Sequence, residues 1–276
     1  MSHAETCDAA ANRPLTEDEL CESRMLTGAD FQLCGAWATP YPHQMECVLA
    51  ARKIQEGYAE LPCGSGKSGI VAMIANDGGN ERDPPRSVLV VGGGRSASVQ
   101  LFEEVRRNTT LGQALTFAFA AETKARRVPE VRGREVMITS YHHLSAALKG
   151  NGGFHSARKY TRRSWDLIIL DECHQAMADG AWANIQLLRS PQTAVIGLTG
   201  TPFRTPTPEE LRTALSTDTI LEQNSRFLNK LGPCFYSVTA KELESKNLIA
   251  RVKYNFVTVP QGSDMYESYE HLSKTE

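Results

Sequence analysis

Short apolar runs alternate with stretches of helical periodicity along most of the chain. Six runs have the length and composition of strands, at residues 58–61, 87–92, 114–120, 135–141, 166–171 and 193–199. Several are apolar on both faces, which is typical of parallel strands covered by helices. Between them the spacing predicts helices over residues 67–75, 98–108, 142–148 and 181–189. This alternation predicts βαβ units, and so an α/β fold built on a doubly wound parallel sheet.

Two segments have neither periodicity and are predicted to be surface loops. Residues 77–86 are rich in Gly, Pro and charge, and residues 149–163 are Gly-rich and then basic. Beyond Gly200 the pattern changes. It predicts helices over 208–216 and 221–231 and a strand over 251–259.

The composition is that of an ordinary globular protein, and it disfavours membrane, secreted and zinc-binding proteins. Hydrophobic residues make up 41% of the chain, charged residues 22%, and the net charge is -2, so any contact with nucleic acid must be local. No apolar run approaches the ~20 residues of a membrane helix, and the N-terminus lacks signal-peptide features, so no membrane partner is expected. The seven cysteines show no C-x-x-C spacing, which argues against zinc and favours a reducing, intracellular compartment.

The strongest chemical signal is the sequence LPCGSGKS at residues 61–68. It follows a predicted strand and begins a predicted helix, which is the context of a phosphate-binding loop. Glycines at 64 and 66 let backbone N–H groups face a phosphate, and the helix N-terminus adds partial positive charge. Because Leu61 stands at the first glycine position of the strict pattern, a plain glycine-rich turn is the alternative. The residues expected to bind the nucleotide are Cys63, Gly64, Ser65, Gly66, Lys67 and Ser68.

An acidic pair follows the most apolar strand candidate. The sequence DECH at residues 171–174 comes directly after this strand, at the end where parallel sheets bind ligands. A solvated acidic pair is the alternative, but its position downstream of the glycine-rich loop favours nucleotide chemistry. We therefore predict that Ser68 and Asp171 hold Mg²⁺ and that Glu172 orients and polarises the attacking water. Lys67, Asp171 and Glu172 are the predicted catalytic residues, with ATP and Mg²⁺ as cofactors.

At these residues the chain resembles helicase superfamily 2, the DEAD-like helicases, over roughly residues 40–260. Residues 61–68 resemble motif I, DECH resembles motif II, and GLTGTP at 197–202 resembles motif III. The resemblance implies a RecA-like lobe of the P-loop NTPase fold. It also implies that Gln44 reads the adenine, and that His174, Thr199 and Thr201 couple nucleotide state to movement. Segments similar to motifs Ia and Ic imply nucleic-acid contacts by Arg95, Ser96, Ser98, Thr139 and Ser140.

Within the superfamily the chain is most similar to the XPB branch. The segments that carry this likeness are LPCGSGKS, ITSYHHL and WDLIILDECH. Cys173 replaces the usual Val of motif II, and Arg204-Thr205-Pro206 replaces the branch's Arg-Glu-Asp triplet. The segment GLTGTPFR at 197–204 also resembles restriction-enzyme translocases.

A motor of this superfamily has two RecA-like lobes, and the resemblance accounts for the first. We expect a polar tail at residues 1–20, the ATP-binding lobe at 21–260, and the start of a linker toward an absent second lobe at 261–276. The first expected partner is nucleic acid, with double-stranded DNA preferred. The others are a second RecA-like lobe, in cis or in trans, and a multi-subunit complex. The expected location is intracellular, in the nucleus if the source is eukaryotic and otherwise in the cytoplasm.

Two functions stay open from the sequence. One is an ATP-dependent helicase or translocase lobe, which the motif I and II residues favour. The other is a nucleotide-binding interaction module without turnover, which the missing second lobe favours. Another P-loop ATPase or a kinase is disfavoured by GLTGTP downstream of DECH.

Overall fold

The computed structural model describes residues 16–77, 85–111, 115–117, 134–150, 154–161, 164–177, 179–200 and 229–250. Seven strands form one sheet in the order β3-β4-β2-β5-β6-β1-β7, and every strand pairing in it is parallel. The predicted α/β fold with a parallel sheet is confirmed. The strands are β1 (Glu56–Glu60), β2 (Ser87–Gly92), β3 (Leu115–Phe117), β4 (Glu135–Ser140), β5 (Leu167–Asp171), β6 (Ala194–Thr199) and β7 (Cys234–Ser237).

Eight α-helices and three short 3₁₀ helices lie in the described part of the chain. None of these helices has the length and apolar character needed to span a bilayer. The α-helices are α1 (Glu17–Met25), α2 (Pro42–Ala51), α3 (Lys67–Asn76), α4 (Arg95–Asn108), α5 (Tyr141–Leu148), α6 (Phe154–Thr161), α7 (Asp179–Leu188) and α8 (Ala240–Ser245). The 3₁₀ helices are Gly28–Phe31, Gly35–Trp37 and Cys173–Met177.

The two faces of the sheet are covered by different helices. In β2, Val88 and Val90 pack into one core while Leu89 and Val91 pack into the other, because alternate side chains of a strand point to opposite faces. The first core contains residues of α2, α3 and α4, and the second contains residues of α5, α6 and α7. Burial on both faces explains why the strands read as continuous apolar runs, and it confirms the doubly wound arrangement.

The prediction of a loop over residues 149–163 is wrong, because this segment contains α6. Tyr160 is fully buried, and its hydroxyl is 2.9 Å from the hydroxyl of Thr139 on β4. The indole Nε1 of Trp165 donates to the Tyr160 carbonyl at 3.1 Å. These contacts fix the helix against the sheet, and they override the loop-like composition of the segment.

Four further elements, α1, α2, α8 and β7, are not predicted by the periodicity. Helix α2 has eight of its ten residues buried, so it shows no polar face that a helical pattern would reveal. Strand β7 has four residues and lies at the edge of the sheet that the described strands form, beside β1. Helix α1 begins at Glu17, inside the segment predicted to be a polar tail. The elements predicted over 208–216 and 251–259, and most of that over 221–231, lie outside the described residues.

Candidate nucleotide site

Three neighbouring strands bring the predicted chemical residues to one edge of the sheet. The strands β5, β6 and β1 are adjacent and parallel, so their carboxyl ends lie side by side. LPCGSGKS follows β1, DECH begins at the last residue of β5, and Thr199 ends β6. The carboxyl edge of an open α/β sheet is where such folds bind ligands, and the motifs meet there although they are distant in sequence.

The loop between β1 and α3 has the backbone conformation of a phosphate cradle. Gly64 and Gly66 have φ angles of +83° and +78°, in the left-handed region that side chains rarely adopt. A Cβ atom on Gly66 would also collide with the Nε2 atom of Gln44. Helix α3 begins directly afterwards at Lys67, so its free N–H groups and its positive dipole end face the loop.

Two residues of α2 hold this loop from behind. The Nε2 atom of His43 is 2.8 Å from the Ser65 carbonyl, so this nitrogen must donate and carries the hydrogen. Gln44 Nε2 donates to the carbonyls of Ser65 and Gly66 at 3.2 and 3.3 Å, and its Oε1 accepts from the Tyr41 N–H at 2.9 Å. Burial lowers the pKa of His43, against the opposing effect of the Ser65 carbonyl. His43 is therefore held neutral as a structural donor.

This arrangement changes the interpretation of Gln44. Its side chain is 8% exposed, and both ends of its amide bind backbone groups of the lobe. Adenine reading by Gln44 stays a prediction, whereas its support of the loop is direct. Sequence reasoning missed His43 as a second support, and its place immediately before Gln44 was the available signal.

Lys67 is paired within the site. Its Nζ donates to the Leu61 carbonyl at 3.3 Å and lies 3.7 Å from Glu172 Oε1. The Lys67 side chain is 14% exposed, so it is largely buried beside Glu172. An incoming phosphate would therefore compete with one carbonyl and one carboxylate for this cation, at the position expected for a phosphate ligand.

The acidic pair is held in a strained turn at the end of β5. Glu172 has a φ angle of +50°, uncommon for a residue with a side chain, and its N–H donates to Asp171 Oδ1 at 3.1 Å. The Tyr141 hydroxyl donates to the Asp171 carbonyl at 3.1 Å and holds the strand end in place. Burial raises the pKa of Asp171 to about 6, and the charge of Glu172 adds to that rise while Lys67 and the Glu172 N–H oppose it.

The residues present fit a divalent cation. Two adjacent carboxylates lie near one ammonium, and the charge of Glu172 adds to the rise that burial causes in the pKa of Asp171. Oxygen ligands of this kind are those that Mg²⁺ prefers. The hydroxyl of Ser68, in the first turn of α3, is the additional protein oxygen offered at the loop.

A hydrogen bond joins the sequence after β5 to the last residue of β6. The Nδ1 atom of His174 is 2.9 Å from the Thr199 hydroxyl, and it also lies 3.5 Å from Glu172 Oε2. Thr199 is fully buried, so this contact fixes the imidazole between the two strands. The structure thus brings two of the three predicted coupling residues together, and Thr201 lies outside the described residues. Coupling itself stays a prediction.

The residues predicted to touch nucleic acid fall into two groups. Ser98, Thr139 and Ser140 are buried. The Ser98 hydroxyl donates to the Thr139 carbonyl at 3.1 Å, and the Ser140 hydroxyl accepts from the His143 N–H at 3.2 Å. These side chains join β4 to its neighbouring helices. Arg95 and Ser96 lie exposed at the start of α4 and are the members of the set that face solvent; nucleic-acid contact stays a prediction.

Comparison with known proteins agrees with this geometry. The Hef helicase domain of Pyrococcus furiosus has a similar fold, with a TM-score of 0.52 and 20% identity, over 78% of this chain and 41% of that chain. The UvsW helicase from bacteriophage T4 has a TM-score of 0.51 and 14% identity, over 84% of this chain and 76% of that chain. The chain thus spans less than half of the Hef helicase domain. At these identities the likeness establishes the fold alone, a doubly wound parallel α/β fold that the chain shares with these two helicase structures.

A family match identifies the chain more closely. No match was found among curated proteins. The family described as "Type III restriction enzyme, res subunit" matches residues 38–204, a segment that includes the phosphate loop, DECH and Thr199. Because this match covers more than half of the chain, the chain belongs to the type III restriction enzyme, res subunit family.

Proposed function

We propose that this chain is the ATP-binding lobe of a DNA translocase or helicase, which uses Mg-ATP to drive movement along duplex DNA. The observation that carries the proposal is the convergence of Lys67, the Asp171–Glu172 pair and the His174–Thr199 contact at one sheet edge. A glycine-rich turn without a role in phosphate binding does not account for the nearby lysine, the two carboxylates and the hydrogen bond between His174 and Thr199.

The phosphates of ATP would be bound by the loop amides and by Lys67. On binding, the ammonium would exchange the Leu61 carbonyl and Glu172 for phosphate oxygens, which carry more negative charge. This exchange would also release the Glu172 carboxylate from its cation. A carboxylate freed in this way is a better hydrogen-bond acceptor for a water molecule.

Ser68 and Asp171 would hold Mg²⁺, and Glu172 would orient the attacking water and accept its proton. When bound, Mg²⁺ supplies positive charge to the phosphate oxygens. His174 lies 3.5 Å from Glu172 and 2.9 Å from Thr199, so it connects the proton acceptor to β6. A change in the charge or position of Glu172 would therefore affect the end of β6.

Hydrolysis at a useful rate would need a second RecA-like lobe, in cis or in trans. The proposal rests here on the fold, because the chain spans only 41% of the similar Hef chain. The family description favours a restriction-type translocase, while the likeness to the XPB branch rests on sequence segments alone. Arg95 and Ser96, exposed at the start of α4, are the residues we propose for contact with the DNA backbone.

Nucleotide titration of matched variants tests the proposal. Wild-type protein should bind Mg-ATP, and Lys67→Ala should bind at least about a hundredfold more weakly, because a cation facing the phosphates is lost. Lys53→Ala is the matched control, since Lys53 pairs with Glu19 on the surface of α1. Equal affinity of Lys67→Ala and wild type would show that the phosphate site lies elsewhere.

A nucleotide-binding module without turnover is the second candidate. The two functions differ in one measurement. A translocase lobe supplied with its second lobe should hydrolyse ATP faster when duplex DNA is added, whereas a module should show the same negligible rate with and without DNA.

A further inference from the structure

The chain returns to the phosphate loop after β7. The Val238 N–H donates to the Glu60 carbonyl at 3.1 Å, so the backbone follows the end of β1. Thr239 then caps α8, with its hydroxyl accepting from the Glu242 N–H at 3.2 Å, and Leu243 anchors the helix by complete burial. The segment that follows α8 therefore starts from a helix that is itself anchored in the core.

A tight turn then directs the next residues onto the loop. Asn247 has a φ angle of +55°, and the Leu248 N–H donates back to the Leu243 carbonyl at 2.9 Å. Ile249 is half-buried and packs against the core. Its Cγ2 atom lies 3.6 Å from the position that a Cβ on Gly64 would occupy. The isoleucine therefore lies beside loop backbone that carries no side chain.

A second interaction of the same segment reaches the support behind the loop. The pKa of His43 is lowered first by burial, and the positive charge of Lys246 lowers it further. This charge acts on the imidazole that donates to the Ser65 carbonyl. The segment 246–250 thus lies beside the loop at Gly64, and the charge of its lysine influences the residue that holds the loop at Ser65.

We infer that residues 246–250 form a strap that positions the phosphate loop, with Ile249 as the positioning residue, and that nucleotide binding tightens this strap. The inference rests on the proposed function, because it requires nucleotide at this loop. A phosphate fixes the backbone at Gly64, and a fixed loop gives Ile249 a constant surface on which to pack. Since coupling between two sites is reciprocal, loss of the Ile249 contact must weaken nucleotide binding by the same factor. Nucleotide binding would thereby influence the part of the chain that follows Ala250.

Hydrogen exchange of the intact chain, with Mg-ADP as the probe, tests the strap. In wild type, saturating Mg-ADP should slow exchange of the amides at 246–250 by roughly threefold or more, the size of a modest local stabilisation. Ile249→Ala should lose this protection and bind Mg-ADP about three- to tenfold more weakly. Ile249→Val, which keeps a branched side chain, should restore both. Leu187→Ala is the control, because Leu187 is 72% exposed on α7, and α7 packs on the face of the sheet opposite to the core that Ile249 contacts.

The outcomes separate the two proposals. Absence of Mg-ADP binding by folded wild type would overturn the proposed function and the strap with it. Binding of Mg-ADP with unchanged exchange at 246–250 would overturn the strap alone. The strap is also wrong if Ile249→Ala keeps wild-type affinity and protection, or if Leu187→Ala loses as much. Unchanged thermal melting of Ile249→Val keeps the comparison valid if Ile249→Ala is poorly folded.

Discussion

Replacement of Asp171 by asparagine should stabilise the nucleotide-free protein and at the same time remove its response to Mg-ATP. The Asp171 carboxyl has a pKa of about 6 instead of its ordinary 3.8, first because it is buried and then because Glu172 lies beside it. The charged form is therefore unfavourable in the folded state. Asparagine has nearly the same shape and carries no charge, so it avoids this cost.

The size of the effect follows from the pKa. A rise from 3.8 to about 6 is about 2 pKa units, and each unit corresponds to about 1.4 kcal/mol, so the charged carboxylate costs up to about 3 kcal/mol at pH 8. The folded state binds the proton more tightly than the unfolded state. The cost is thus absent below the unfolded pKa, grows as pH rises from about 4 to about 6, and is constant above that range. We expect Asp171→Asn to gain about 1–3 kcal/mol at pH 8 and less than about 1 kcal/mol at pH 4.

Urea unfolding followed by circular dichroism, in EDTA and at both pH values, measures this gain. Asp18→Asn is the matched control, because Asp18 is exposed on α1 and its replacement should change stability by less than about 0.5 kcal/mol. In buffer without EDTA, added Mg-ATP should stabilise wild type and leave Asp171→Asn unchanged. A variant less stable than wild type at pH 8, or a gain of equal size at both pH values, would refute the electrostatic reasoning.

Further predictions follow from individual contacts. Glu172→Gln should keep nucleotide affinity but lower turnover of the two-lobed enzyme by at least about a hundredfold, because the proton acceptor is lost; near-normal turnover would exclude this role. The isolated chain should hydrolyse ATP slowly in a single-turnover assay, and a matching second lobe should raise the rate by about 10³ or more. Tyr160→Phe should cost about 1 kcal/mol in urea unfolding, because the hydroxyl within 2.9 Å of Thr139 is lost. Arg95→Ala should weaken DNA binding equally for all sequences and reduce its salt dependence, and a sequence-dependent loss would contradict a backbone contact.

Some features of this protein are determined by short segments of the sequence. The apolar runs of β2 and β5 predict strands buried on both faces, because each position reports its own burial. The loop at 61–68 and DECH are predictable for a similar reason: left-handed glycines, a helix start and acidic residues after a strand are local requirements of phosphate and metal chemistry. The alternation of elements likewise indicates a doubly wound parallel sheet, although it does not give the order of the strands.

Other features depend on residues that are far apart in sequence. Helix α6 exists in a loop-like sequence because Tyr160 is held at the end of β4. The hydroxyls of Ser98 and Thr139 look available in the sequence, but packing against neighbouring elements buries them.

At the site itself, the tertiary structure decides which residues share the loop. Gln44 and His43 reach Ser65 across 21 and 22 positions of sequence, and Ile249 reaches Gly64 from the far end of the described chain. Periodicity indicates which positions of a helix or strand are buried, but it does not indicate which residues cover them. The sequence by itself therefore determined the type of fold and the chemical groups. Only the packed sheet, with β5, β6 and β1 side by side, decided which groups hold, pair with and cover one another.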